Sequence, residues 1–134
     1  MEPYLTLLLI FSGLGIVDTL YLAYHSITKT DVACPFFPKE WCRKVQYSQL
    51  SRTFGIPNSY LGLVMYLVIF GLTIGHINAL AVPFWWLQLV IGFGFLFSLY
   101  FTFVQAFILR AFCTWCVVSA VSFTALAVAA FILR

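Results

Sequence analysis

Between His25 and Pro57 lies the one sizeable polar stretch of the chain. On either side the sequence is apolar in runs long enough to cross a bilayer. Tyr4 to Tyr24 is apolar apart from Ser12, Asp18 and small residues, and its 21 residues reach about 31 Å as a helix. Further apolar runs cover about 59–77, 84–109 and 112–133. Charged residues are 8% of the 134, against about 25% in an ordinary soluble domain. A water-soluble surface cannot be built from so few. The expected fold is therefore all-α: a single membrane domain, residues 1–134, made of a four-transmembrane-helix bundle.

The polar loop, 25–58, holds Lys29, Asp31, Lys39, Glu40, Arg43, Lys44 and Arg52, three of the five prolines, and Cys34 and Cys42. Within it, Val45 to Phe54 places Tyr47, Leu50 and Phe54 at helical spacing, which predicts a short amphipathic helix at the membrane surface. Gly55-Ile56-Pro57 ends that segment, and Asn58 or Ser59 can cap the span that follows. The first run has neither a charged segment before it nor a small-residue cleavage site after it, so it reads as a retained span. Trp85 and Trp86 suit one membrane interface. The basic residues are too few and too dispersed for a nucleic-acid surface.

Tracing the spans places the remaining chemistry. The first ends on the face that carries the polar loop, the second returns to the opposite face, and the third brings Arg110 back. Cys113 and Cys116 then open the fourth span on the loop's face, so all four cysteines share one side of the membrane. In a helix, positions i and i+3 lie together, and the helix start favours a thiolate. Thiol exchange needs direct sulfur contact and access. A close dithiol at a helix start, with a second pair on a loop at the same face, has the layout of a thiol relay. A quinone is the natural membrane-soluble electron acceptor for such a relay, held between the helices.

Two other readings of the cysteines stand beside this one. Four thiolates can hold zinc, although the seven residues between Cys34 and Cys42 exceed the usual spacing. Two inert disulfides can staple a scaffold, although a Cys-x-x-Cys bridge closes a very short loop and adds little entropy. Among single residues, Asp18 is the only acid inside a span, which makes it a functional candidate by default, with a bond to a neighbouring helix as the equal alternative. His25 and His76 fall near span ends, where an interfacial role is expected. Gly71 and Gly75 form a Gly-x-x-x-Gly, a sign of close helix packing.

The order Cys34…Cys42, Ser48, then Gly55-Ile56-Pro57-Asn58-Ser59-Tyr60-Leu61-Gly62, then Cys113-x-x-Cys116 opening a last helix, resembles the vitamin K epoxide reductase family over essentially the whole chain. The resemblance implies a prokaryotic-type, quinone-coupled, disulfide-forming enzyme. Cys113 and Cys116 would be the active-site pair, with Cys116 against the quinone ring and Cys113 exchanging with the loop. Cys34 and Cys42 would be the shuttle pair, Cys42 meeting Cys113. Ser48 would support the site by hydrogen bonding, and Asn58 would bond a quinone oxygen. The acceptor would be of the ubiquinone, menaquinone or vitamin K type, and no metal is implied. The thioredoxin-like domain that some bacterial members carry is not found after the fourth span, so a separate thioredoxin-fold protein is the expected partner of a monomer. Vertebrate members place a tyrosine four residues after the second active-site cysteine, where this chain has Ala120. That departure favours quinone-coupled disulfide formation over epoxide reduction.

Orientation is pulled two ways. The resemblance and the redox chemistry put the cysteine face outside a prokaryotic cell membrane. The basic residues Lys29, Lys39, Arg43, Lys44, Arg52 and Arg110 share that face, and the positive-inside rule would turn it toward the cytoplasm.

Overall fold

The computed structural model describes residues 3–28, 38–46, 52–53, 56–78, 82–110 and 114–133. Helix α1 is Pro3–Thr28 and the short α2 is Lys39–Gln46. Two-residue strands follow, β1 (Arg52–Thr53) and β2 (Ile56–Pro57), paired antiparallel with Arg52 opposite Pro57. Helix α3 is Asn58–Ile77, and α4 is Phe84–Phe103, continuing into a π-helical turn, Val104–Leu109. Helix α5 is Thr114–Phe131. Among the described residues, four helices are long and apolar enough to cross a membrane: Pro3–His25, Asn58–Ile77, Phe84–Leu109 and Thr114–Phe131.

The spans form an up-down-up-down ring. Helix α1 packs against α3 and α5, and α4 closes the ring against α5 and, more loosely, α3. At one end the Tyr4 and Phe84 rings meet edge to face, with centroids 5.6 Å apart. At the other, Tyr21 and Trp115 lie 4.5 Å apart. The end of α1 and the start of α5 thus share one end of the bundle.

Bilayer physics sorts the faces of α1. Ile10, Leu14, Val17 and Leu20 are exposed, whereas Ser12, Gly15, Asp18 and Thr19 are buried. Small and polar residues turn inward because lipid rewards apolar surface outside and close backbone approach inside. The hydroxyls bond to their own helix, Ser12 to the Leu8 carbonyl at 2.6 Å and Thr19 to the Gly15 carbonyl at 2.7 Å, which leaves no cost of an unmade bond.

Two aromatic rings fill the centre. Tyr66 of α3 and Phe123 of α5 stack at 4.6 Å, and the Tyr66 hydroxyl meets the Ser119 hydroxyl at 2.9 Å. Glycines on the other two helices make room. A Cβ at Gly15 would overlap the Tyr66 ring, and one at Gly94 would overlap Phe123. The close packing expected of Gly71 and Gly75 holds only in part. Gly75 abuts the Val82 side chain, while Gly71 faces open space.

The amphipathic surface helix lies in the first loop, but earlier than the spacing of Tyr47, Leu50 and Phe54 suggested. It is α2, Lys39–Gln46, and part of the expected Val45–Phe54 segment is instead strand β1. Local chemistry explains the shift. The Pro38 carbonyl accepts the Trp41 N–H at 2.9 Å, and Glu40 in the first turn suits the helix dipole. Trp41 and Val45 are spaced to share one face, as are Glu40 and Lys44 on another. Thr53 is β-branched and Pro57 has a fixed φ, so both favour extended backbone.

At the far end, His76 Nδ1 lies 3.0 Å from the Val82 carbonyl and holds the turn between α3 and α4. His25 packs its ring against Tyr21 at 4.5 Å. Both histidines therefore sit at span ends, in the interfacial positions expected of them.

Candidate active site: a thiol-lined cavity between the spans

A cavity of about 390 Å³ lies among all four spans, within the range of roughly 300–1,000 Å³ typical of small-molecule sites. Helix α5 contributes Cys116, Ser119 and Phe123, spaced so that one stripe of the helix faces inward. Helix α3 contributes Asn58, Gly62 and Met65 by the same periodicity. Helix α4 supplies a run of rings, Phe93, Phe97 and Phe101, ending at Gln105. Thr19 and Leu22 of α1 close the remaining side.

The cavity is graded. Asn58, Gln105 and Cys116 all belong to its loop-side end, because α3 and α5 begin there and α4 finishes there. Deeper in, the walls are mainly aromatic and aliphatic, with Ser98 and Ser119 among them. Val64 and Phe93 sit on the rim and are 57% and 68% exposed, so the cavity reaches the outside of the bundle along the looser α3–α4 seam. An apolar ligand with a polar head matches this grading. It can enter from the lipid and bring its head to Cys116.

Cys116 lies in the first turn of α5, with Thr114 buried beside it. Above it, Val45 of α2 is fully buried in an apolar cluster with Leu22, against which Tyr21, Trp115 and Cys116 pack. The short helix that contains Cys42 is thereby fastened over the mouth of the site. Cys34, Ser48 and Cys113 lie outside the described residues, as does the Cys42 side chain. Of the predicted site residues, Asn58 and Cys116 both line this cavity, one from α3 and the other from α5.

Asp18 is 2% exposed. It faces the bundle interior, close enough to Tyr66 to interact electrostatically, and its neighbour Thr19 lines the cavity. Ala120 is not part of the cavity wall, and it adds no polar group at the position where vertebrate members carry tyrosine. Sequence reasoning passed over Gln105. Gln88 and Gln105 are the two carboxamides of the third span, and a polar side chain inside a span is the signal that could have found it.

The fold and site define a multi-pass helical membrane protein with a cysteine on a lipid-accessible cavity. The model of the vitamin K epoxide reductase family matches residues 6–131, and the chain belongs to that family. It is accordingly a membrane oxidoreductase. A search of curated proteins finds no match to this chain.

Proposed function

We propose that this protein couples disulfide formation to quinone reduction, taking electrons from a separate thioredoxin-fold partner. The observation that carries the reading is the placing of Cys116 and Asn58 on one cavity that opens to lipid between α3 and α4. The residues suit the ligand. Phenylalanine rings offer faces for a flat ring system, an amide offers a donor to a carbonyl oxygen, and the rim admits an apolar tail.

The electron count closes. The thiols of Cys113 and Cys116 give up two electrons and two protons and form one S–S bond, while a quinone becomes a hydroquinone. Cys42 thiolate then attacks Cys113, releasing Cys116. Cys34 attacks Cys42 and releases Cys113, so the disulfide now joins Cys34 and Cys42. The partner's dithiol reduces that bond and leaves oxidised. Ser48 supports this exchange from the loop. Electrons run from partner to quinone throughout. Ala120 supplies no hydrogen-bond donor, which favours quinone over epoxide as the acceptor.

The test is steady-state quinone reduction driven by dithiothreitol, with wild type and Cys116→Ala in the same detergent. Activity in wild type and none in the variant supports the reading. Full activity in Cys116→Ala contradicts it. A zinc module or a stapled scaffold would show no quinone turnover at all.

A further inference from the structure

Among the described residues, Asn58 and Gln105 are the two cavity-lining side chains that carry N–H groups. They stand on different helices, α3 and α4, and both belong to the end where Cys116 opens α5. Gln105 is 1% exposed, so its carboxamide is held inside the bundle and not at a lipid surface. Its nitrogen reaches the Phe101 carbonyl of its own helix at 3.5 Å, at the long limit for such a bond.

The backbone is special at the same place. Helix α4 leaves α-helical geometry at Val104 and runs as a π-helical turn to Leu109. Such turns cost hydrogen-bond quality, and they recur at functional sites. Here the turn coincides with the one amide that α4 presents to the cavity. It ends at Arg110, whose φ of 52° redirects the chain toward α5. Of the hydroxyls that line the cavity, Thr102 bonds to the Ser98 carbonyl at 2.8 Å, Thr19 to the Gly15 carbonyl at 2.7 Å, and Ser119 pairs with the Tyr66 hydroxyl at 2.9 Å; Ser59 and Ser98 line it as well.

We propose that Gln105 is the second hydrogen-bond donor to the quinone, gripping the ring oxygen opposite the one that Asn58 reaches. The inference rests on the quinone reading above. Two amides on neighbouring helices fix a ring with two opposed carbonyls in one orientation against Cys116. Both oxygens gain electron density as the ring is reduced, and preorganised donors favour that charge. Gln105 thereby makes the site selective for ligands with two opposed carbonyls over those with one.

The test compares 2-methyl-1,4-naphthoquinone with its analogue lacking one carbonyl. Binding is read by tryptophan fluorescence quenching in detergent. Wild type should bind the diketone about tenfold more tightly, one hydrogen bond's worth. Gln105→Leu should lose that preference by weakening the diketone alone. The monoketone can turn to whichever amide remains, so only the Asn58→Leu/Gln105→Leu double variant should weaken it. Gln105→Met, closer in shape, repeats the measurement if the leucine variant does not hold the bundle. A Gln105 variant that keeps the wild-type preference overturns the proposal. So does one that weakens both ligands equally, since that is the mark of a packing role. Wild type that binds neither ligand overturns the quinone reading itself, and this inference with it.

Discussion

Val45, on the short surface helix, and Cys116, at the start of the last span, belong to one apolar cluster. They are far apart in sequence and on different kinds of helix, yet the contact ties the element that contains Cys42 to the wall of the cavity. The short helix is thus held at the membrane site without a covalent link.

Loss of that tether should separate the two halves of the relay. Val45→Asp puts a carboxylate into an apolar cluster, at a cost of several kcal/mol. Turnover driven by a protein dithiol should fall about tenfold or more. Dithiothreitol is small enough to reach the inner pair directly, so turnover driven by it should stay within about twofold. Equal loss with both donors would show that α2 matters to the fold and not to the relay.

The glycine at position 15 should be nearly irreplaceable. Tyr66 is pinned by its hydroxyl to Ser119 and by its ring to Phe123, so it cannot swing away from an added Cβ. Gly15→Ala should cost about 1–3 kcal/mol and lower the detergent melting midpoint by several degrees. Gly13→Ala, where a Cβ meets nothing within 4 Å, should leave it near wild type. A melting midpoint for Gly15→Ala equal to that of Gly13→Ala would refute the packing account.

Asn58 opens α3 and lines the cavity. Asn58→Leu should raise the quinone KM about tenfold through loss of one hydrogen bond. The rate at which dithiothreitol reduces the Cys34–Cys42 disulfide should not change. A KM that stays put would remove Asn58 from the ligand site and leave it as a helix-start residue only.

The side of the membrane is settled by labelling. The family resemblance predicts that, after reduction, Cys34 reacts with a membrane-impermeant maleimide on intact cells. Labelling only after the cells are lysed would place the cysteine face in the cytoplasm, as the distribution of basic residues suggests.

How much of this was legible in the sequence follows from what lipid does to patterning. The four spans were readable because burial in a bilayer demands long apolar runs with few charges. Which face of each span turns inward was not. Leucine and phenylalanine serve equally outside and inside, so the stack of Tyr66 on Phe123 leaves no period to read. The inward stripe of α1 was readable in principle from Ser12, Gly15, Asp18 and Thr19. The surface helix was expected in the right loop but at the wrong residues, because the spacing of Tyr47, Leu50 and Phe54 outweighed the start signal at Pro38 and Glu40. Cys116 and Asn58, singled out by motif order, both line the cavity. Gln105 carried a sequence signal, a carboxamide inside an apolar span, but its place at a π-helical turn beside the cavity is one that no local pattern announces.

The most direct measurement is a single turnover. Purified, fully reduced protein is mixed with a stoichiometric quinone in a stopped-flow instrument, and quinone absorbance and protein thiols are followed together. The account predicts loss of one quinone with formation of one disulfide per protein molecule, in a phase that is absent from Cys116→Ala. Unchanged quinone absorbance with four thiols still titratable would contradict it.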